Sequence, residues 1–326
     1  MSDSVLGGES FFCGNEAPLV SVQMPVFNGV EHLAESIESI LNQTFKNFEF
    51  IIIDDGSTDA SLEILQRYAA KDSRIRLLSR ENRGLSATQH ELVTLARGEF
   101  IAQLDQDDIA LPQRLELQVD FLNKNSAVVC VGGSYQLIDG AGRYLTTLRL
   151  PTENSEIQAA NLQGHCALHH PSTMMRRQAV QAVGSYDIGY NSATDFDLWL
   201  RLGEVGQLAN LDSVILKYRL HEKSVSESAG LAQRNEMRQA CEKAWRRRGV
   251  VGVFNASSAW RPGSDDVSKM LFALQYGWWA WNSCQRSTAI YYGWKAVKLQ
   301  LYSWASWKLL LVALIKPLPK NREAIS

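Results

Sequence analysis

Four consecutive apolar residues, Phe50 to Ile53, run without polar alternation into two adjacent carboxylates, Asp54 and Asp55, and then into Gly56 and a cluster of turn formers. A strand with no polar face is covered on both sides, as in a parallel sheet flanked by helices. The two acids then stand at its carboxyl end. Gly56 permits a sharp turn, Ser57 to Asp59 offer N-cap oxygens, and Leu62, Leu65 and Tyr68 follow at helical spacing. Ligands of open α/β sheets bind in the crevice beyond such strand ends. An isolated D-D-G-S is adequately explained by turn and cap chemistry. An ionised carboxylate is also an acceptor for ring N–H and ribose hydroxyl donors, which makes a nucleotide one candidate ligand.

Strand and helix signals alternate from Leu19 to about Leu220, through "LVSVQMP", a helix over 31–41, "FEFIII", "IRLLS", the helical "LSATQHELVTLA" and the strand "GEFIAQL". This alternation predicts an α/β fold with a mostly parallel central sheet and helices on both faces. The first strand ends in "PVFNG", Pro25 to Gly29, with neither G-x-G-x-x-G nor G-x-x-x-x-G-K-[ST]. That weighs against a nicotinamide enzyme or an ATPase. Phe100 to Leu104 repeats the first design, ending in Asp105, Asp107 and Asp108 before Pro112 opens a helix. Three carboxylates at one strand end repel one another unless a cation neutralises them, and Mg²⁺ or Mn²⁺ favours a few carboxylates plus substrate phosphates. A calcium hand would need a glycine and a distal glutamate that this stretch lacks.

Six stretches, "VSVQMPVFNG", "FEFIIIDDGSTD", "GEFIAQLDQDDIALPQRL", "HHPSTMMRR", "TDFDLWLRL" and "YRLHEKSVS", resemble in order and spacing the motifs of family-2 nucleotide-sugar glycosyltransferases of GT-A fold. The resemblance covers about Pro18 to Ser228 and implies a nucleoside diphosphate sugar donor. It implies that Asp55 accepts the N3 hydrogen of uracil with Asp54 beside it, and that Pro25, Phe27, Asn28 and Arg83 also belong to nucleotide binding. In the D-x-D motif, Asp107 resembles the metal ligand and Asp105 the acid on ribose or donor sugar. His221 resembles the residue over the diphosphate that completes the metal shell, while Arg219 supports its loop. His170, Thr194 and Asp105 are the implied contacts to donor or acceptor sugar.

Asp195 begins a helix whose Leu198, Trp199 and Leu202 form an apolar face, so on its own it reads as an acid favoured by the helix dipole. The resemblance makes it the general base that takes the acceptor hydroxyl proton, a chemistry of one carboxylate, one displacement and inversion. Asp197 reads as structural. The sequence departs from the family at Gln89 and His90, where Arg-Asn is common, and Arg83 is the candidate to compensate. Asp195 and Asp107 speak against the alternative of a non-catalytic nucleotide-sugar-binding protein that retains the fold. The missing basic, glycine-rich loop speaks against a nucleotidyltransferase.

The five cysteines are scattered with no C-x-x-C pair, and the first ten residues have no basic n-region and apolar h-region. Both predict a cytoplasmic protein, and the basic, Trp-rich end of the chain adds a peripheral place at the inner face of the membrane. The run Leu309 to Ile315 is far shorter than a spanning helix requires. From Met1 to Val225 there are 18 Lys+Arg against 29 Asp+Glu, and from Ser226 onward 15 against 6, so a net −11 is followed by +9. Eight of the nine tryptophans lie in that basic, helical end. Its composition suits an anionic membrane surface, with packing of the aromatics on the catalytic part as the competing reading. The expected division is an extension over 1–17, a catalytic domain over 18–228 and a Trp-rich tail over 229–326. The expected acceptor is a saccharide or lipid-linked saccharide of envelope glycan synthesis, with UDP or dTDP on the donor and no nucleic-acid partner.

Overall fold

The computed structural model describes residues 17–220, 230–256 and 265–319. In chain order the first half runs β1 (Val20–Val26), α1 (Leu33–Leu41), β2 (Phe48–Asp54), α2 (Ser61–Ala69), β3 (Ile75–Ser79), α3 (Leu85–Leu95), β4 (Phe100–Gln103), β5 (Ile109–Ala110) and α4 (Arg114–Lys124). There follow β6 (Val128–Asp139), β7 (Tyr144–Leu148), α5 (Asn154–Leu162), a 3-10 turn at His170–Ser172, β8 (Met174–Arg176), α6 (Arg177–Ala182), α7 (Thr194–Val205) and β9 (Gln207–Leu220). Four helices come last: α8 (Gly230–Arg248), α9 (Asp266–Asn282), α10 (Arg286–Leu299) and α11 (Trp304–Ile315).

The strands form one sheet in the order β3-β2-β1-β4-β8-β6-β9-β5, with β7 paired to β6. β1 runs parallel to β2 and β4, and β2 parallel to β3. β8 is antiparallel to β4 and β6, so the sheet is mixed beyond its parallel half. All seven residues of β2 are buried, as a strand without polar alternation requires. The parallel register sets Val26 beside Asp54 and Asp54 beside Ser79, and β4 leads into Asp105 on the other side of β1. Both acidic clusters therefore leave the same edge of the sheet.

The chain divides into two compact units. The first comprises Met1–Ser134, Leu150–Leu216 and Leu231–Ala256, and the second Tyr135–Arg149, Lys217–Gly230 and Ser257–Ser326. This differs from the expected boundary at 228, for a physical reason. Ala240, Cys241 and Ala244 of α8 are buried in one apolar cluster with Tyr190, Ala193, Phe196 and Leu200, so that helix completes the first unit. A larger cluster in the same unit gathers Ile51, Ile53, Ile101, Met175, Leu198, Trp199 and Leu202 between sheet and helices.

Within the second unit, Ala280, Trp281, Ala289 and Ala313 bury the small-residue faces of α9, α10 and α11 against one another. Arg143 lies 3.5 Å over the Tyr291 ring, and Tyr292 donates to Asp139 Oδ2 at 2.7 Å. Arg219 is buried and reaches the carbonyls of Asp139 and Gly140 at 3.5 and 3.4 Å, in the turn after β6. Among the described residues no helix is long and apolar enough to cross a membrane.

Candidate active site

At the end of β2 the two acids do different work. Asp54 is buried and accepts from Ser57 N at 3.2 Å and from Ser79 Oγ at 2.8 Å, which fixes the turn after β2 to the end of β3. Asp55, 4% exposed, accepts from the main-chain N–H groups of Arg83 at 2.9 Å and Gly84 at 3.0 Å and is paired with the Arg80 guanidinium. Arg83 thus touches Asp55 through its backbone. Arg80 also donates to Glu91 Oε2 at 2.8 Å and to Thr88 Oγ1 at 3.0 Å, which places its guanidinium against the helix of the departure at Gln89 and His90. Sequence reasoning missed Arg80. Its signal was positional, because Ser79 pairs with Asp54 and the next residue on each strand must lie at the same edge.

Pro25, near the end of β1, is half-buried, and Phe27 just after the strand is exposed. Phe27 N donates to Gln106 Oε1 at 2.9 Å and Gln106 Nε2 to Phe27 O at 3.1 Å, so the loop after β1 is tied to the acidic loop after β4. Gln106, inside the D-x-D triplet, was a second residue missed. Asn28 adopts φ 51°, a left-handed conformation that Asn tolerates, and its Oδ1 accepts from Thr58 N at 2.8 Å. These residues lie together at the carboxyl ends of β1 and β2.

The structure brings Asp105, His170 and Asp195 together. His170, buried in the 3-10 turn, has Nδ1 3.8 Å from Asp105 Oδ1 and Nε2 2.9 Å from the Tyr186 hydroxyl. Burial disfavours its charge, but the Asp105 carboxylate, with Asp195 further off, outweighs burial and raises the imidazole pKa above its ordinary value. For Asp195, burial raises the pKa, His170 and the Phe196 N–H oppose this, and the carboxyl stays above its ordinary 3.8. Its own oxygen accepts from Phe196 N at 2.8 Å in the first turn of α7. Thr194 next to it is buried, and its hydroxyl makes no hydrogen bond among the described residues. Asp197, as expected, is structural, paired with Arg201 at 2.7 Å one turn on.

Asp107 is half-buried beyond β4, and Asp108 is buried. His221 lies outside the described residues. Among the described residues no group of three or more His, Cys, Asp or Glu is arranged to hold a metal. The oxygen donors at the β4 edge suit a hard cation that takes its remaining ligands from phosphates and water.

A family model described as Glycosyl transferase family 2 matches residues 21–184. The O-antigen biosynthesis glycosyltransferase WbnJ of Escherichia coli is 34% identical over 215 residues, covering 65% of this chain and 83% of that protein. Chondroitin synthase of Escherichia coli is 32% identical over 209 residues, 64% of this chain; the match spans only 30% of that longer protein. Among solved structures, the mannosyltransferase PcManGT from Pyrobaculum calidifontis, in complex with GDP-Man and Mn²⁺, aligns with a TM-score of 0.56 at 16% identity, over 93% of this chain and 82% of that one. At that identity the likeness is one of fold, and the fold is of the GT-A type. The half-parallel sheet with acids at its carboxyl edge, the matched family model over half of the chain and the relatives together establish that this protein belongs to glycosyltransferase family 2.

Proposed function

We propose that the protein is an inverting, metal-dependent glycosyltransferase that moves a sugar from a UDP- or dTDP-linked donor to a saccharide or lipid-linked saccharide in envelope glycan synthesis. The observation that carries this reading is the placement of Asp105 and Asp195 about one buried imidazole. His170 is 3.8 Å from the strand-end acid and electrostatically coupled to the helix-start acid. Asp195 takes the acceptor hydroxyl proton as the oxygen forms its bond to the anomeric carbon, and the bond to the diphosphate breaks on the opposite side with its electron pair. His170 and Asp105 hold the sugar between these events, Thr194 offers its unused hydroxyl there, and Asp55 accepts from the base. Pro25, Phe27, Asn28 and Asp54 shape the base pocket. Asp107 would hold a Mn²⁺ or Mg²⁺ ion, which would supply positive charge against that of the diphosphate, and His221, the other expected ligand, lies outside the described residues.

The second unit supports a membrane-facing role. Trp304, Trp307, Leu311, Leu314 and Ile315 are exposed on α11 at helical spacing, with Leu301 and Tyr302 exposed just before it. No acidic residue occurs between Asp266 and Glu323, while Lys308 lies on α11, Lys316 at its end, and Lys295 and Lys298 on α10. An apolar face with tryptophans and only basic charge suits an anionic lipid interface. In α9, by contrast, Trp281 is buried and Trp278 and Trp279 are half-buried, so packing accounts for those.

A panel of UDP-, dTDP- and GDP-sugars, assayed for hydrolysis and transfer with Mn²⁺ or Mg²⁺ and after chelation, tests the central reading. Asp195→Asn is expected to retain donor binding and to lose about 10²- to 10⁴-fold in turnover. Wild-type turnover by this variant removes Asp195 from the mechanism.

A further inference from the structure

The loop that delivers the first turn of α7 cannot hold itself. Its N-cap residue is Ala193, and the helix start has no side-chain cap of its own. A capping box would use an acid at the third helical position to bind the N-cap N–H, but Phe196 stands there. The acceptor comes instead from α8. Glu236 Oε2 accepts from Ser192 N at 2.8 Å, Ala193 N at 3.0 Å and Ser192 Oγ at 2.9 Å, and Oε1 accepts from Asn191 N at 3.2 Å. Gln233, one turn earlier on α8, donates to Ser192 O at 3.0 Å. On the other side of the loop, Ser86 of α3 donates to Tyr190 O at 2.5 Å. Beneath it Tyr190, Ala193 and Phe196 pack on Ala240, Cys241 and Ala244.

Three successive main-chain N–H groups on one carboxylate fix the direction in which the chain enters α7. Two residues later that direction sets where the Asp195 side chain points. Burial raises the Glu236 pKa, but the Ser192, Asn191 and Ala193 donors outweigh it and hold the carboxyl below its ordinary value, so the acceptor is charged at neutral pH.

We propose that Glu236 is a positioning residue for glycosyl transfer: its carboxylate clamps the Asn191–Ala193 loop and thereby orients Asp195 toward the acceptor hydroxyl. This rests on Asp195 being the general base. The role differs from that of a structural cap because it acts on the chemical step. The nucleotide contacts proposed above come from the ends of β1, β2 and β4, and of the proposed sugar contacts only Thr194 lies on α7, so loosening this loop should cost the chemical step far more than donor binding.

The test uses the full chain and whichever nucleotide sugar of the panel is hydrolysed fastest with Mn²⁺, comparing wild type, Glu236→Ala, Glu236→Gln, Asp195→Asn and the double variant Asp195→Asn with Glu236→Ala. Glu236→Ala is expected to lower kcat by about 10²-fold while donor KM changes little, as for other small misplacements of a reacting group. Glu236→Gln, which keeps one acceptor oxygen in the clamp and preserves packing if the alanine variant unfolds, should recover part of that loss. In the Asp195→Asn background Glu236→Ala should cost nothing further, because its route to the reaction is already cut. Wild-type kcat in both Glu236 variants, a loss confined to KM, or a further loss in the double variant overturns the proposal while leaving Asp195 in place. Wild-type kcat in Asp195→Asn overturns the general-base reading, and this proposal with it.

Discussion

Removing the Arg80 guanidinium would leave the Asp55 carboxylate, with its side chain 5% exposed, supported only by two main-chain N–H groups. An uncompensated buried charge is expensive, so Arg80→Met is expected to lower the unfolding free energy by about 3 to 5 kcal/mol, read by denaturant titration. A loss within the range of ordinary surface substitutions would mean that the pair is dispensable. Asp195 supplies a second prediction. Its pKa is raised above 3.8, chiefly by burial, and the base must be ionised, so kcat should fall as pH is lowered through a value above the ordinary carboxylate pKa. The sign for stability is the reverse of a salt bridge. A carboxyl whose folded pKa exceeds its unfolded pKa subtracts from stability at neutral pH, and Asp195→Asn should therefore raise the thermal midpoint at pH 7 while lowering turnover. A lower midpoint would show that the ionised form is net stabilising. Asp55 was legible in the sequence because it follows an apolar strand directly, and Asp195 because it opens a helix with an apolar face within a motif the family resemblance picks out. Arg80 was not, since its importance depends on β3 lying beside β2 in a particular register.

At the scale of elements, strands β1 to β4 and helix α7 follow from apolar runs and helical spacing, and their predicted positions agree with the structure to within a few residues. The long strand β6 has no counterpart among the elements read from the sequence, and its Gly132–Gly133 pair shows why. A Cβ on Gly132 would meet Asn210 Oδ1 at 2.3 Å, and one on Gly133 would meet Ile215 Cδ1 at 2.7 Å. These glycines leave room for side chains of β9, distant in sequence, and carry no strand propensity of their own. Helices α10 and α11 give a test of the same kind. Gly293 faces Leu310 so closely that an added Cβ would lie 3.0 Å from Leu310 Cα. Helix propensity alone says that Gly293→Ala stabilises by about 1 kcal/mol. Main-chain contact says that it destabilises, because a backbone atom cannot turn aside as a side-chain tip can. We expect the thermal midpoint to fall, and a rise would mean that the two helices part at little cost.

For the whole molecule, the charge division and the distribution of tryptophans converge on α11. Vesicle co-sedimentation at low salt is expected to pellet the full chain with anionic but not neutral vesicles. Release at high salt should be partial, since screening removes the Coulomb attraction and leaves the apolar contact. Trp304→Ala combined with Leu314→Ala and Ile315→Ala should lower the bound fraction without moving the thermal midpoint by more than surface substitutions do, because these side chains are at least half exposed. Equal binding to neutral and anionic vesicles, or no change in the triple variant, would dismiss lipid as the partner of this face.

What the sequence determined by itself was local in origin: an apolar strand that ends in acids, turns after each, a helix opening on Asp195, and an ordered set of motifs that places the chain in its family. Such features depend on residues within about ten positions of one another, where backbone geometry and side-chain spacing act directly. Only the tertiary structure decided what meets what. It put Arg80 on Asp55, set His170 between Asp105 and Tyr186, and moved α8 out of the supposed tail to hold the loop before Asp195. Each of these contacts joins residues 16 to 65 positions apart. Their partners are chosen by the sheet order and by the burial of apolar faces, which no single stretch of the chain encodes.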